Sequence, residues 1–233
     1  MRPDVKGYIL KEYGSWSVLT VAFILGLSVS RAYSWIAVPL FAALAVLVNS
    51  KQAFMKSMRS KEDKKASTVF LGEVAAASVT LIAIFGKDVL MLMPLLVFPA
   101  AYLFTNRFGG EHSILTELLG FTLLSLAAVL AKFLLTGGLD VRLFLGVVFY
   151  FTAGVFKIKA LLLQKTSFRI LIVLDVLLAV YVYFRMHIPL LVLLPLTDNL
   201  IVAATLYKVK LRTTGWIEVA KSLVFLLLFI YYY

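Results

Sequence analysis

Apolar runs of 16 to 22 residues follow one another along almost the whole chain, and they constrain the fold more than any other feature. A helix needs roughly 20 mostly apolar residues to cross the hydrocarbon core of a bilayer, with a range of about 17 to 25. Strand-like alternation is absent over these lengths, which argues against a β-barrel. The sequence predicts an all-α integral membrane protein, a single bundle of about nine transmembrane helices at residues 14–30, 35–50, 67–86, 89–106, 114–135, 141–162, 169–185, 188–207 and 213–232. We expect helices two and seven to extend into their loops.

The distribution of basic residues supports this count and predicts an orientation. With a cytoplasmic N-terminus, 17 of the 23 Lys and Arg residues fall in cytoplasmic segments, five fall in external segments, and Lys221 lies within the last helix. Such an excess inside is the usual bias of membrane proteins. The C-terminus is then external, and the polar stretch from Lys51 to Ser67 is predicted to be a cytoplasmic loop. Short loops suit the plasma membrane of a prokaryote.

Composition excludes several functional classes. The net charge of +11 does not indicate nucleic-acid binding, because the basic residues lie between apolar runs rather than on a solvated face. There are no cysteines, so disulfides, thiolate metal sites and cysteine nucleophiles are excluded. The motifs of common ATPases, zinc proteases and serine hydrolases are also absent. Membrane lipids are the expected partners; protein partners stay open, and we predict no metal site.

The acidic residues are the most informative, because a charge at the centre of a membrane helix costs about 2.5 to 3.5 kcal/mol and usually faces a cavity or a partner. Five of the 12 acidic residues fall within predicted helices and Glu12 lies just before the first, and all six are central or on the cytoplasmic side: Glu12, Glu73, Glu117, Asp175, Asp198 and Glu218. The sequence therefore predicts a polar cavity that opens toward the cytoplasm. Alternatively, Glu73 and Asp175 are protonated or bonded to a neighbouring helix.

Three further groups of residues look functional. Asp198 and Asn199 follow Pro195, which is expected to kink the helix and free carbonyl groups. Glu218 and Lys221 stand three residues apart on one helix, so they either neutralise each other or line the cavity. The segment 106–112 holds two glycines that permit a tight turn, and it gathers the polar residues Asn106, Arg107, Glu111 and His112.

Four short patches, in order along nearly the whole chain, resemble the YwiC-like family of polytopic membrane proteins. They are Glu12-Tyr13-Gly14-Ser15-Trp16, the stretch from Asn106-Arg107 through Glu111 to Glu117, Val155-Phe156-Lys157-Ile158-Lys159, and Gly215-Trp216-Ile217-Glu218-Val219 with Ser222. The first patch departs from the family's Glu/Gln-His-Gly-Ala-Trp pattern because Tyr13 replaces the His. The resemblance implies a membrane protein whose biochemical role is open.

The architecture more distantly resembles the UbiA-type prenyltransferases, which have nine helices and a cytoplasm-facing cavity that holds a prenyl diphosphate. Their Asp-rich motifs bridge Mg²⁺ to the diphosphate. The matching places here read Asn49-Ser50-Lys51-Gln52-Ala53 and Lys157-Ile158-Lys159-Ala160, so a Mg²⁺ cofactor is doubtful and no other cofactor is indicated. Lysines are able instead to hold an anionic headgroup as point charges.

Three functions stay open at this point. In the first, the cavity binds an amphiphilic, lipid- or isoprenoid-phosphate-like anion, as in a divergent UbiA-like transferase. Glu117, Asp198 and Glu218 are then catalytic candidates, and the ligand-binding candidates are Glu12, Trp16, Asn106, Arg107, Glu111, Lys157, Lys159, Asn199 and Lys221. In the second, the chain is a small-molecule permease; Pro94, Pro99, Pro189 and Pro195 break helices, as that function requires, but we see no internal repeat. In the third, it is a non-catalytic assembly factor.

Overall fold

A computed structural model describes residues 8–59, 64–205 and 211–233, with the side chains of residues 211 and 212 left out. The basic residues at positions 2, 6, 61, 208, 210 and 212, which support the predicted orientation, lie outside this description. Over the described residues the chain is helical and has no strand. The helices are α1 (Tyr13–Val29), α2 (Ala37–Arg59), α3 (Lys64–Phe85), α4 (Val89–Leu92), α5 (Val97–Gly109), α6 (Ile114–Thr136), α7 (Val141–Leu163), α8 (Thr166–Arg185), α9 (Thr197–Thr205) and α10 (Leu211–Tyr232).

Six described helical segments are long and apolar enough to cross a membrane: 37–59, 64–109, 114–136, 141–163, 166–185 and 213–232. Two shorter apolar segments, 13–29 and 190–205, accompany them. Apolar side chains such as Leu71, Val79 and Ile82 on α3 point outward. A water-soluble protein rarely leaves so large an apolar surface uncovered, whereas lipid covers it without cost. The chain is a helical membrane protein.

The expectation that helix two extends into its loop is confirmed, and most of the described part of the polar stretch 51–67 is helical. Helix α2 continues to Arg59, and α3 already begins at Lys64. Lys56 and Arg59 lie in the last turn of α2, where positive charge is favoured by the exposed carbonyl groups of a helix C-terminus. The apolar run ends at Ser50, but a helix needs apolar residues only while it is in lipid, so α2 continues beyond that run.

Two predicted helices are interrupted. The run at 89–106 is divided into α4, a 3₁₀ segment Met93–Leu96 and α5, and the run at 188–207 begins with a 3₁₀ segment Leu190–Leu196 that leads into α9. Each 3₁₀ segment has a proline beside or inside it, Pro94 in the first and Pro195 in the second. Proline lacks a backbone N–H and its ring collides with the preceding turn, so a regular α-helix does not pass through it.

Helix α1 packs closely on α6. A Cβ atom at Gly26 would lie 2.1 Å from the carbonyl oxygen of Ala128, so the two backbones meet without side chains between them. Helix α1 also packs on α10, and α7 packs on α6, α8 and α9. On the α7–α10 side the ring of Tyr150 stacks on that of Phe225, with centroids 3.7 Å apart. Helix α1 thus packs against both α6 and α10, α7 packs against α6, α8 and α9, and the candidate site lies between α7, α9 and α10.

Candidate functional site

Four charged side chains meet between α7, α9 and α10, and we call them the charged quartet: Lys157, Asp198, Glu218 and Lys221. Lys157 Nζ donates hydrogen bonds to Asp198 Oδ2 and to Glu218 Oε1. Lys221 Nζ lies 3.1 Å from each of the same two oxygens. Each lysine therefore contacts both carboxylates, and within the described part of the chain two positive charges face two negative charges.

The quartet lies inside the bundle rather than on its end. Lys157 is six residues from the C-terminal end of α7, and Glu218 is seven residues from the start of α10, which places each about 10 Å along the helix axis from its end. Asn199 is fully buried beside the quartet, where it accepts a hydrogen bond from Lys221 Nζ at 2.6 Å and donates one to the carbonyl of Ala153 at 3.2 Å. The amide thus fixes one lysine against α7.

Access to the quartet is through its carboxylates. The side chains of Asp198 and Glu218 are 23% and 26% exposed, whereas those of Lys157 and Lys221 are 0% and 9% exposed. The lysines lie behind the acids, seen from the accessible side. The accessible part of the quartet therefore belongs to its two acidic side chains.

Of the two alternatives for Glu218 and Lys221, the structure shows the pairing, at 3.1 Å across three residues of α10. The surroundings of Lys157 differ from those that the sequence predicts. It was predicted to face an anionic headgroup, but its ammonium group is enclosed and bound to two carboxylates of the chain itself.

Glu117 lies in a separate contact. Its Oε1 accepts a hydrogen bond from Lys159 Nζ at 3.0 Å, and His112 Nδ1 is 4.0 Å away. Lys157 and Lys159 are two residues apart on α7 and so point to opposite sides of that helix, one toward α9 and α10 and the other toward α6. The three catalytic candidates are therefore divided between two faces of α7.

A second charged network joins the start of α1, the end of α2 and the turn before α6. It consists of Glu12, Lys51, Arg59 and Glu111. Lys51 Nζ lies 2.7 Å from Glu12 Oε1 and 3.6 Å from Glu111 Oε1, and Arg59 Nη2 donates to Glu111 Oε2 at 2.7 Å. From the sequence, Lys51 and Arg59 are predicted to be determinants of topology or part of a surface for anionic lipid headgroups, not members of an ion-pair network. Their role in this network follows from the continuation of α2, which the apolar pattern does not show.

The other ligand-binding candidates lie near this network but make contacts within the chain. Trp16 Nε1 donates to the carbonyl of Leu10 at 3.1 Å. Asn106 is buried, and its amide lies 3.1 Å from Met55 Sδ. Arg107 is exposed and forms no ion pair with the residues that the structure describes. Of the candidates, Arg107 has the most freely accessible charge.

A third charged cluster lies at the opposite end of α7. Asp140 caps that helix by accepting the Leu143 amide at 2.9 Å, and it also accepts hydrogen bonds from Lys132 and from Tyr233 Oη, the latter at 2.6 Å. Partial burial alone would raise the pKa of Asp140, but these donors and the Lys132 charge lower it below its usual value. Asp140 is therefore ionised and structural.

Two concavities open between described helices at this opposite end. One, of about 540 Å³, is lined by residues from the ends of α1, α6 and α10, and the other, of about 240 Å³, lies between α1 and α2. The cavity shared by Glu117, Asp198 and Glu218 that the sequence predicts stays a prediction.

A family model described as YwiC-like protein matches residues 9–132, which is more than half of the chain. No curated protein matches, and no solved structure matches. The matched residues run from just before α1 into α6 and include the second network, whereas the charged quartet lies beyond them. The UbiA-type resemblance stays a hypothesis.

Proposed function

We propose that this chain, which belongs to the YwiC-like family, is a membrane carrier whose charged quartet binds and releases a cation, in the simplest case a proton. The observation that carries the proposal is a quartet of two lysines and two carboxylates enclosed in a bundle of apolar helices. A well-packed apolar cluster of the same volume is often as stable as buried ion pairs. Charges kept in such a place mark ion or proton pathways by default.

The pairing pattern supports reversible binding. When a proton or another cation neutralises one carboxylate, both lysines keep the other carboxylate as a partner, because each lysine contacts both. The quartet then changes its charge by one without leaving an ammonium group alone. The carboxylates also form the accessible part of the quartet, which favours a cation over an anion as the species that enters.

The interrupted helix beside the quartet supports a carrier as well. Carriers commonly bind their substrates and coupling ions at discontinuous helices, where freed backbone groups are available. Here the 3₁₀ segment Leu190–Leu196 ends two residues before Asp198. Pro195 interrupts the helix one turn from a carboxylate of the quartet.

A proton-flux measurement tests the proposal. The purified chain is reconstituted in vesicles of phosphatidylethanolamine and phosphatidylglycerol that enclose a pH-sensitive dye, and a potassium gradient with valinomycin drives protons inward. We expect faster acidification than in protein-free vesicles, and Glu218→Gln should return the rate to the protein-free level because one carboxylate of the quartet can no longer titrate. Arg107→Ala is the control and should leave the rate unchanged. A wild-type rate equal to that of protein-free vesicles contradicts the proposal, as does an undiminished rate in Glu218→Gln.

The exposed charge of Arg107 favours a second candidate, the binding of an anionic amphiphile at the cytoplasmic end, as in a divergent UbiA-like transferase. Arg107 has no ion-pair partner among the described residues, and Lys159 on α7 is held at the same end of the bundle. If this candidate is right, anionic lipid co-purifies with the wild-type chain. The same lipid should be lost in Arg107→Ala and retained in Glu218→Gln. The carrier proposal expects no such difference.

We also propose nine crossings, with the N-terminus in the cytoplasm and the C-terminus outside, in a prokaryotic plasma membrane. The 46-residue segment Lys64–Gly109 would be about 69 Å long as one helix, more than twice the roughly 30 Å hydrocarbon core. Gly86 within it has φ of 54°, a conformation that ends helices. Two crossings in this segment, five in the other long helices and two in the shorter apolar segments give nine.

Single cysteines test the two crossings of this segment, since the chain has none of its own. Lys65→Cys, Lys87→Cys and Arg107→Cys each place a thiol at an exposed position. A membrane-impermeant maleimide should label Lys87→Cys only in right-side-out vesicles and the other two only in inverted vesicles. Labelling of all three from one side contradicts the proposed topology.

A further inference from the structure

We propose that the α1–α6–α10 cavity, the concavity of about 540 Å³ at the ends of those helices, binds an organic phosphate that is carried either by an anionic lipid headgroup or by a soluble ester. Neither the charged quartet nor Arg107 lines this cavity, so the inference stands or falls separately from the carrier proposal and from the second candidate. Five of the seven residues that line it are polar: Ser28, Arg31, Lys132, Tyr231 and Tyr233.

The size of the α1–α6–α10 cavity suits a substituted phosphate rather than a bare ion. Pockets for small molecules usually measure about 300 to 1,000 Å³, and this cavity, at about 540 Å³, lies within that range. The concavity between α1 and α2 is smaller, about 240 Å³, and apolar side chains such as Phe23, Leu27 and Phe41 contribute much of its lining. Of these two concavities, the larger one has the basic lining.

Positive charge exceeds negative charge around the α1–α6–α10 cavity. Arg31 and Lys132 line it. Arg142 contacts a third lining residue, since its guanidinium carbon lies 4.8 Å from the ring centroid of Tyr233. Asp140 is the carboxylate of this group, and it pairs with Lys132. Three cationic side chains therefore accompany one carboxylate in this group of described residues. A phosphate ester, with between one and about two negative charges near neutral pH, offsets that excess.

Several hydrogen-bond donors on the cavity wall are not used by the chain itself. Within the described ranges, the guanidinium group of Arg31 forms no ion pair and no hydrogen bond, and the hydroxyl groups of Ser28 and Tyr231 form no hydrogen bond. The Nε of Arg142 is buried and also lacks a partner there. A phosphate group has several acceptor oxygens and pairs with a guanidinium group through two parallel hydrogen bonds. It therefore matches both the charge and the donors of this wall.

The Lys132 side of the cavity is held in place by the chain. Asp140 accepts hydrogen bonds from Lys132 Nζ and from Tyr233 Oη, the latter at 2.6 Å. Asp140 also caps α7 by accepting the Leu143 amide. These contacts join α6, α7 and the end of α10. Because they already order two lining side chains, these groups lose less conformational entropy when a ligand binds.

The turn after α1 places Arg31 in the same wall as Ser28. The Arg31 amide donates to the Ser28 carbonyl at 3.2 Å, and φ at Arg31 is 49°. Residues other than glycine seldom adopt this conformation, and asparagine is among the few that tolerate it. Backbone strain of this kind is concentrated at binding sites. Arg31→Asn keeps the turn and removes the charge, so it isolates the effect of the guanidinium group.

Isothermal titration calorimetry with glycerol 3-phosphate tests the soluble source of the ligand. The chain is held in nanodiscs of phosphatidylcholine, whose headgroups carry no net charge. We expect one site per chain, and Arg31→Asn should weaken binding by at least about tenfold, because hydrogen bonds between charged groups are lost. Arg185→Gln is the matched control: Arg185 is an exposed cation in the last turn of α8 that does not line the cavity, and its loss should leave the affinity unchanged.

Native mass spectrometry tests the lipid source. Wild type and variants are released from nanodiscs of mixed phosphatidylcholine and phosphatidylglycerol, and the phosphatidylglycerol molecules that stay bound are counted. Arg31→Asn should retain one fewer than wild type, whereas Arg185→Gln should retain the same number. Arg107→Ala is measured in parallel, since lipid held at the other end of the bundle responds to that variant and not to Arg31→Asn.

A loss specific to Arg31→Asn in either measurement supports the site and identifies the source of its phosphate. Loss in the titration indicates a soluble ester, and loss in the lipid count indicates a headgroup. If the wild-type chain binds neither probe, the proposal is overturned. Equal binding by wild type and Arg31→Asn in both measurements also overturns it, as do equal losses in Arg31→Asn and Arg185→Gln, because these would reflect only the net charge at this end of the bundle.

Discussion

Replacing Lys157 with methionine is expected to lower the free energy of unfolding by about 3 to 5 kcal/mol, because it leaves two carboxylates with one lysine in a buried site. Methionine has a similar length and fills the space of the lysine stem, so loss of packing contributes little. Lys157 is fully enclosed and bound to both Asp198 and Glu218. Reversible unfolding in mixed micelles measures the change.

Lys159→Met is the matched control for this variant. Lys159 is two residues along the same helix, and it pairs with the single carboxylate of Glu117 near the end of the bundle. Lys159→Met breaks one partly buried ion pair instead of two, so we expect a smaller loss of unfolding free energy than in Lys157→Met. If both variants lose the same free energy of unfolding, the quartet is no more tightly coupled than an ion pair at the bundle end.

Gly26→Ala is expected to cost about 3 kcal/mol, because α1 and α6 must move apart to admit one methyl group. The new Cβ would lie 2.1 Å from the carbonyl oxygen of Ala128, and a backbone atom within a packed helix is unable to rotate away as a side chain does. The same unfolding measurement tests it. A change below about 0.5 kcal/mol would show that the two helices are not in contact there.

Gly14→Ala is the control within the same helix. A Cβ at Gly14 meets no atom within 4 Å, so the substitution adds no contact and replaces a poor helix former with a good one. We expect it to leave stability unchanged or to raise it slightly. The contrast between Gly14 and Gly26 separates the effect of helix packing from that of helix propensity.

Sequence alone predicts the helical membrane class because apolar runs of this length have few other uses. It also places Asp198, Asn199, Glu218 and Lys221 in one region, since the depth of each residue can be counted from the ends of its apolar run. Glu218 and Lys221 share a helix, so their spacing predicts their contact directly. These inferences need no knowledge of how helices pack.

The partner of Lys157 is a different case. Whether a lysine on α7 faces a ligand or the acids of α9 and α10 depends on the rotation of α7 against its neighbours, and the apolar pattern of a lipid-embedded helix fixes that rotation poorly. The interruptions at Pro94 and Pro195 raise a similar difficulty. A proline predicts a break, but the length of the following 3₁₀ segment is decided by packing. The number of crossings and the orientation stay predictions.

A double-mutant cycle on Lys157→Met and Glu218→Gln tests most directly whether the quartet is one coupled unit. The double variant retains Asp198 and Lys221, which still contact each other and still balance in charge. We expect the free energy of unfolding of the double variant to be about 2 kcal/mol higher than the value obtained by subtracting both single-variant losses from wild type. If the two losses of unfolding free energy are additive, Lys157 and Glu218 act independently. That result would contradict the proposal, because no balanced site would then exist for a cation to enter.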